Sequence, residues 1–227
     1  MDKTTYRSNI TVVNNLAIIR NIRFLTENTF VLRFDRNDME FKAGQYITVG
    51  LKDTLQHREY SIYSAEQDDY LEILIREVLD GDVSLQLKYC KPGQLIEANG
   101  PFGFLKLDNE HMYSKKMIFI ASGTGIAPFH SFVTSYPTID YTILHGVRYI
   151  KEAYDKHDYD PGRYILCTSR EKNGNYHGRL TGYLKEMKTD PDNVFYVCGN
   201  SNMIYDVYDI LRRKGVPTEN IRSEVYF

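Results

Sequence analysis

Arg58, Tyr60 and Ser61 lie within four residues of one another in HREYSIYS (57–64), a Tyr- and Ile-rich stretch that predicts a β-strand. A guanidinium fork suits a phosphate, a phenol ring packs on an aromatic face, and a hydroxyl can share a proton. Strict alternation places Arg58 and Tyr60 on one face of the strand and Ser61 on the other. The three side chains can therefore contact one ligand only if the backbone bends or the ligand wraps around the strand.

A second motif whose residues could bind a ligand is IFIASGTGIAPF (118–129). An apolar strand ends at Gly123-Thr124-Gly125, and Pro128 suits the first turn of a following helix. Glycines let the backbone approach a ligand closely, and a helix N-terminus offers N–H groups to a phosphate. The alternative is a turn that needs glycine for its geometry alone. The spacing is not GxGxxG, and the acidic residue expected about 20 residues on for an unphosphorylated ribose is not evident.

Three arginines follow the strands predicted after this motif. Arg148 ends HGVR, Arg170 lies in TSRE, and Arg179 lies in YHGRL. Ligands of open α/β sheets bind beyond the carboxyl ends of the strands, and guanidinium groups there suit a 2′-phosphate. Each arginine alone is typical of a solvated surface, but the set favours NADP over NAD.

The elements that must position these residues change character along the chain. The first half contains short strand-like runs separated by Gly, Asp and Pro, with one short helix predicted in DVSLQLKYC, which is typical of a barrel or sandwich. In the second half, apolar runs alternate with helical patterns, which indicates a parallel sheet covered on both faces. The clearest helix is NMIYDVYDILRRKG, closed by Gly215. A polar stretch at 108–116 separates two predicted domains, 1–110 and 111–227.

Composition excludes several classes of function. A formal net charge of -2 over 227 residues indicates neither a nucleic-acid nor an anionic-membrane partner. The three cysteines form no CxxC and the six histidines no HExxH, so neither a zinc nor an iron–sulfur site is expected. The N-terminus lacks the apolar core of a signal peptide, and no apolar run approaches about 18 residues. We therefore expect a cytoplasmic protein without membrane insertion or a metal.

The motifs REYS, GTGIAP, VCGN and EVYF occur in this order, and together they make the chain resemble the ferredoxin/flavodoxin–NADP reductase family of flavoproteins. The match runs from about Phe41 to Phe227, and compact bacterial members are nearest in length. The resemblance implies an α+β two-domain fold: an N-terminal antiparallel β-barrel that binds FAD, then a doubly wound α/β parallel sheet that binds NADP. It implies an oxidoreductase that moves electrons between NADPH and ferredoxin or flavodoxin through hydride transfer at FAD N5.

The resemblance also assigns an FAD site. It implies that Arg58 pairs with the FAD pyrophosphate, that Tyr60 packs on the isoalloxazine, and that Ser61 approaches flavin N5. Tyr226 is expected over the isoalloxazine and Phe227 at the adenine. The remaining implied FAD contacts lie on LIREVLDGDVSLQL and the glycine-rich turn: Arg76, Gly81, Val83, Ser84 and Thr124. From the residues alone, an N-cap of the short helix is an equal alternative for Ser84.

For the nicotinamide, the resemblance implies that Cys198 lies beside the ring and shapes hydride approach without a covalent intermediate. Glu224 is expected near enough to orient the ring or to pass a proton. Otherwise Cys198 is typical of core packing and Glu224 of a surface carboxylate. The implied catalytic residues are Ser61, Cys198, Glu224 and Tyr226. The implied NADP contacts are Gly123, Thr124, Gly125, Arg148, Ser169, Arg170, Arg179, Cys198 and Gly199.

Three alternative functions stay open at this point. The chain could be the reductase component of a multicomponent oxygenase or an NAD(P)H:flavin reductase. It could also be a non-catalytic flavin-binding electron-transfer or regulatory subunit of a larger complex. Oxygenase reductases often carry a fused iron–sulfur domain with clustered cysteines, which this sequence lacks. The electron acceptor, the direction of electron flow and the oligomeric state are not determined by the sequence.

Overall fold

A computed structural model describes residues 15–78, 81–108 and 110–226, with only the backbone of Tyr226. The first half of the chain forms one antiparallel six-stranded sheet in the order β4-β3-β6-β1-β2-β5. A seven-residue helix, α1, follows the fifth strand. The elements are β1 (Leu16–Thr26), β2 (Thr29–Asp35), β3 (Tyr46–Leu51), β4 (Arg58–Ser61), β5 (Tyr70–Arg76), α1 (Asp82–Lys88) and β6 (Leu95–Phe102).

The two edge strands of this sheet, β4 and β5, are joined just after β4 ends. Ile62 forms an antiparallel bridge with Ile73, and the Tyr63 N–H donates to the Glu72 carbonyl at 2.7 Å. The sheet therefore curls into the predicted barrel, and closure removes its exposed edges. The predicted alternation of β2 holds on its inner face, where Phe30, Leu32 and Phe34 are buried in the barrel core.

The second half of the chain forms a six-stranded parallel sheet in the order β10-β9-β8-β7-β11-β12. Helix α2 packs on one face, and α3 and α4 pack on the other. The direction of winding reverses between β7 and β11, where ligands of such sheets bind. The elements are β7 (Met117–Ser122), α2 (Ala127–Ser135), β8 (Tyr141–Val147), β9 (Tyr164–Thr168), β10 (Tyr176–His177), α3 (Leu180–Glu186), β11 (Val194–Asn200), α4 (Ser201–Arg213) and β12 (Ile221–Tyr226).

The sequence patterns explain this sheet. Successive residues of β7 are buried on opposite faces: Phe119 belongs to the core under α2, whereas Ile118 and Ile120 belong to the core under α3 and α4. A strand buried on both faces gives the continuous apolar run seen in the sequence. Helix α4 begins at the N-cap Asn200, which accepts from the Asn202 N–H at 3.0 Å. It ends just before Gly215, whose φ of +83° suits glycine.

The two sheets meet at a polar junction around Asp155. Arg23 of β1 donates to both carboxylate oxygens of Asp155 at 2.7 Å, and the Tyr63 hydroxyl donates to the same group at 2.9 Å. The His130 ring of α2 stacks on Tyr63 with centroids 3.8 Å apart. Ligand atoms of His130, Asp155 and Asp158 lie within 4.8 Å of one another. The guanidinium on Asp155 disfavours a cation there, so we assign the cluster a structural role.

The division of the chain at residue 110 stays a prediction, which the separation of β6 from β7 supports. Within residues 15–78, 81–108 and 110–226, no helix combines the length and apolarity needed to span a membrane. The cytoplasmic location and the absence of a metal also stay predictions.

Asp155→Asn tests the junction, because an amide keeps the shape of the carboxylate and tolerates its left-handed φ of +44°. Asp155 is 7% exposed, so loss of its charge leaves Arg23 with a weakened partner. We expect thermal unfolding about 5 °C lower, roughly 1–2 kcal/mol, in a chain of this size. The matched control is Asp209→Asn, which removes an exposed pair with Arg213 and is expected to change the midpoint by less than about 1 °C. Equal shifts for both variants would contradict a stabilising role.

Candidate active site

A large cavity of about 1340 Å³ lies between the barrel and the carboxyl ends of the parallel strands. Its walls come from β4, β5 and α1 on one side, and from the turns after β7, β8, β9 and β11 on the other. A pocket for one small ligand usually measures about 300–1,000 Å³. The cavity therefore has room for two extended ligands that meet in the middle.

On the barrel side, Arg58, Tyr60 and Ser61 all line this cavity. β4 pairs with β3 from Arg58 to Ser61, and the next residue, Ile62, bridges to β5, where the barrel closes. Side chains from both faces of β4 line the cavity at this point. Burial raises the pKa of Tyr60 to about 12, so its phenol stays neutral. Arg58 is exposed, and its guanidinium donates to the His57 carbonyl at 3.0 Å.

The helix α1 segment also reaches the cavity through Gly81, Val83 and Ser84. Gly81 is the N-cap, so the alternative interpretation of Ser84 as the cap is wrong. The Ser84 hydroxyl instead accepts from the Val78 N–H at 3.1 Å and donates to the Gly81 carbonyl at 3.3 Å. It therefore holds the loop that precedes the helix.

The glycine-rich motif forms a tight 3-10 turn, Gly123–Ile126, between β7 and α2. Gly123 has a φ of +54°, a left-handed conformation that favours glycine, and it lines the cavity together with Thr124. Gly125 does not line the cavity. A Cβ there would lie 2.4 Å from the Cys198 carbonyl oxygen, so glycine is needed for close packing of the turn on β11.

The predicted arginines gather at one end of the cavity, together with Ser169. The Arg170 N–H donates to the Arg148 carbonyl at 3.0 Å, which ties the ends of β8 and β9 together, and Arg179 is the N-cap of α3. Among the described residues, no carboxylate lies within ion-pair distance of the guanidinium groups of these three arginines or of Arg58. Such uncompensated positive charge suits phosphate groups.

Ser61 and Glu224 bring the two halves of the site together. The Ser61 hydroxyl, from β4, donates to the Glu224 carboxylate, from β12, at 3.2 Å. Burial raises the pKa of Glu224 to about 7, and the negative charge of Glu59 adds to this, whereas the Ser61 hydrogen bond opposes it. Glu224 can therefore gain or lose a proton near neutral pH.

Cys198 pairs in register with Glu224 on β12, but it is fully buried and does not line the cavity. The next residue, Gly199, does line it, with a φ of +138° and a Cβ position 2.2 Å from the Ser122 hydroxyl. Cys198 is thus one layer behind the cavity wall. The predicted roles of Phe227 and of the Tyr226 side chain lie outside the described residues.

The sequence interpretation missed Glu152, a buried carboxylate that lines the cavity. It accepts from the N–H groups of Arg148 at 2.8 Å and Tyr149 at 3.0 Å, and lies 3.6 Å from the guanidinium of Arg76. Arg76, a predicted FAD residue, is therefore linked to the loop that carries a predicted NADP residue. No local signal in the sequence marks Glu152, because its partners are distant or are backbone groups.

Comparison with known proteins identifies the first half of the chain. Residues 10–107 match the family model of the oxidoreductase FAD-binding domain. These residues are an oxidoreductase FAD-binding domain. The whole chain is similar to a flavodoxin/ferredoxin–NADP reductase of Buchnera aphidicola, with 29% identity over 88% of this chain and 90% of that protein. It is also similar to one from Rhodobacter capsulatus, with 28% identity over 99% and 94%.

The fold agrees with a crystal structure of a ferredoxin–NADP⁺ reductase from Neisseria gonorrhoeae with bound FAD and NADP. The TM-score is 0.82 at 24% identity, over 93% of this chain and 98% of the other. The predicted resemblance, the FAD-binding domain followed by a doubly wound sheet, and an FAD-dependent NAD(P)H oxidoreductase are confirmed. The roles of individual residues stay predictions.

Glu224→Gln tests the buried carboxyl through the pH dependence of stability. Glu224 holds its proton up to a pKa of about 7 in the folded protein, against an ordinary value of 4.5. This contribution to stability is fully present below pH 4.5 and is lost as the pH rises through 7. A neutral glutamine escapes that loss, so we expect its melting temperature to exceed that of wild type by about 4 °C at pH 8.5, roughly 1–2 kcal/mol.

At pH 4 the two proteins are expected to melt within about 1 °C of each other, because both side chains are then neutral. The control variant is Glu219→Gln, at an exposed position in the turn before β12. Melting curves of protein without added dinucleotide, recorded from pH 4 to 9, provide the measurement. A Glu224→Gln effect that does not change with pH would argue against the raised pKa.

Proposed function

We propose that this chain transfers electrons between NADPH and a small one-electron carrier protein, ferredoxin or flavodoxin. The observation that carries the proposal is the Ser61–Glu224 contact in the middle of a cavity with guanidinium groups on both sides. Bound FAD supplies the exchange between a two-electron hydride and single electrons, which amino-acid side chains cannot perform. Similarity to flavodoxin/ferredoxin–NADP reductases over almost the whole chain supports the choice of carrier.

The barrel wall fits the chemistry of FAD. Arg58 and Arg76 present two guanidinium groups for a pyrophosphate, and the neutral ring of Tyr60 provides a face for the isoalloxazine. Gly81, Val83 and Ser84 shape the wall between them. In this assignment the Ser61 hydroxyl would lie beside the isoalloxazine.

The opposite wall fits a phosphorylated dinucleotide. Gly123 and Thr124 receive the pyrophosphate, since the left-handed turn leaves space beside the backbone. Ser169, Arg170 and Arg179 bind the 2′-phosphate beyond the end of β9, and Arg148 adds positive charge beside them. The polar and exposed character of this end suits the adenosine half rather than the nicotinamide.

The nicotinamide half extends toward Gly199 and Glu224. Gly199 lines the cavity at the end of β11, and its lack of a side chain lets Ser122 pack closely against this wall. Glu224 holds or releases a proton beside Ser61 and orients the ring carboxamide through its carboxyl group. Cys198 supports the wall from behind, so we assign it a steric role in placing the ring.

The activity is tested first by an absorption spectrum of the purified protein before and after anaerobic addition of NADPH or NADH. We expect a two-banded flavin spectrum that NADPH bleaches faster than NADH. The reduced protein is then mixed with ferredoxin, flavodoxin or free FMN, and reduction of each acceptor is followed. Faster reduction of free FMN than of both carriers would favour a flavin reductase instead. A colourless protein that takes up no added FAD would overturn the proposal.

Arg170→Ala tests the 2′-phosphate assignment. Loss of one charge-assisted contact is expected to raise KM for NADPH about tenfold and to leave KM for NADH within about twofold, because NADH has no 2′-phosphate. The control is Arg213→Ala on α4, an exposed arginine outside the cavity. Steady-state kinetics with both coenzymes provide the measurement. An equal rise in KM for both coenzymes would contradict the assignment of the 2′-phosphate to Arg170.

A further inference from the structure

His145 lies on β8 directly beneath the glycine-rich turn, and it is fully buried. Both of its ring nitrogens are hydrogen-bonded. Nδ1 lies 2.6 Å from the Tyr164 hydroxyl of β9, and Nε2 lies 2.8 Å from the Gly123 carbonyl oxygen. A line of hydrogen bonds thus crosses three parallel strands and ends on a residue that lines the cavity.

The chemistry of the hydrogen-bonding groups determines which one donates and which one accepts at each contact of His145. A carbonyl oxygen only accepts, so Nε2 of His145 must carry the hydrogen that is donated to Gly123. Burial lowers the pKa of His145 to about 4, so the ring is neutral at physiological pH and has a single N–H. Nδ1 is therefore the acceptor for the Tyr164 hydroxyl, whose pKa is raised by burial and which keeps its proton.

The orientation of the Gly123 carbonyl determines where the next N–H points. A trans peptide is planar, so the C=O of Gly123 and the N–H of Thr124 point in opposite directions. With the carbonyl drawn into the protein by His145, the Thr124 N–H is directed away from the interior, on the side where Thr124 lines the cavity. Gly123 opens the 3-10 turn with a φ of +54°, and the His145 side chain holds its carbonyl oxygen from below.

We propose that His145 is a positioning residue for the dinucleotide, which anchors the Gly123 carbonyl and thereby aims the Thr124 N–H at the pyrophosphate. The assignment rests on the proposed function, since it requires that a dinucleotide binds at this turn. His145 has no contact with the ligand and acts through one peptide unit. The effect of its loss therefore falls on binding of the pyrophosphate, and FAD binding on the other wall is retained.

His145→Asn and His145→Gln form the test pair. The amide nitrogen of glutamine is as many bonds from Cβ as Nε2 of histidine, so it can still donate to Gly123. The asparagine amide corresponds to Nδ1 and reaches Tyr164 only. We expect asparagine to raise the dissociation constant of NADP⁺ and KM for NADPH about five- to tenfold, with kcat within twofold of wild type. Glutamine is expected to restore both constants to within about twofold.

Adenosine 2′-phosphate, which has a 2′-phosphate but no pyrophosphate, separates positioning from general damage. Its inhibition constant against NADPH is expected to be the same in wild type and in both variants. The matched control is His130→Asn, a buried histidine with hydrogen bonds at both nitrogens that does not line the cavity. We expect this variant to lose thermal stability without weaker NADP⁺ binding.

Three results would overturn the proposal. The first is equal weakening of NADP⁺ and adenosine 2′-phosphate, which would indicate a distorted site. The second is a His130→Asn effect on NADP⁺ as large as that of His145→Asn. The third is a folded, FAD-containing glutamine variant that binds NADP⁺ five- to tenfold more weakly than wild type, a comparison that needs only wild type and therefore stands even if the asparagine variant does not fold. Failure of wild type to bind NADP⁺ would instead overturn the proposed function, and the positioning role with it.

Discussion

The candidate site depends on how the barrel is held against the parallel sheet, because its cavity exists only between them. Apolar residues of the outer barrel surface, Val31 and Leu74, share one buried cluster with Phe129 and Phe132 of α2. The Asp155 junction adds directional contacts to this cluster through Arg23 and Tyr63. Interfaces between domains of one chain are usually more polar than obligate protein–protein interfaces and allow the domains to move. Here the continuous core and the charged junction hold the two walls of the cavity in a fixed relative position.

Charge is distributed in the cavity in a way that suits two anionic ligands. Arg58, Arg148, Arg170 and Arg179 line the cavity without a carboxylate partner among the described residues, whereas Arg76 lies 3.6 Å from the cavity carboxylate of Glu152. An ionised carboxylate at Glu224 would oppose ligands that carry several negative charges. Burial raises the pKa of Glu224 to about 7, which makes its neutral form available near neutral pH. The Ser61 hydroxyl donates to this carboxyl group where the two walls meet.

The turn after β7 and the end of β11, where the direction of winding reverses, combine glycines with hydrogen bonds from neighbouring side chains. Gly125 and Gly199 let the turn and the end of β11 approach closely, and the Ser122 hydroxyl accepts from the Asn200 N–H at 3.2 Å. His145 supports the same turn from β8. Backbone groups here can face a ligand because side chains are absent on one side and polar anchors are present on the other. Such an arrangement requires neighbouring parallel strands, whose carboxyl ends all meet at one edge.

Local patterns in the sequence predict the secondary structure and locate the motifs. Alternation in β2, continuous apolar runs in β7 and β11, and the glycines at the turn and at Gly215 predict elements that the structure contains, because these patterns depend on neighbouring residues only. The ordered motifs also led to the correct family resemblance and fold. Local patterns predict the roles of individual residues less well: the sequence allows Ser84 as a helix cap, but the cap is Gly81.

Contacts between side chains that are far apart in the sequence depend on the tertiary fold. Ser61 and Glu224 are 163 positions apart, and Arg23 and Asp155 are 132 apart, so no local pattern relates them. Residues from both faces of β4 line one cavity beside the point where the barrel closes, which strand alternation alone does not predict. Burial of Cys198, the proton affinity of Glu224 and the tautomer of His145 likewise follow from packing. Solvent exclusion and hydrogen-bond partners are set by the whole fold, and a side chain's chemistry changes with them.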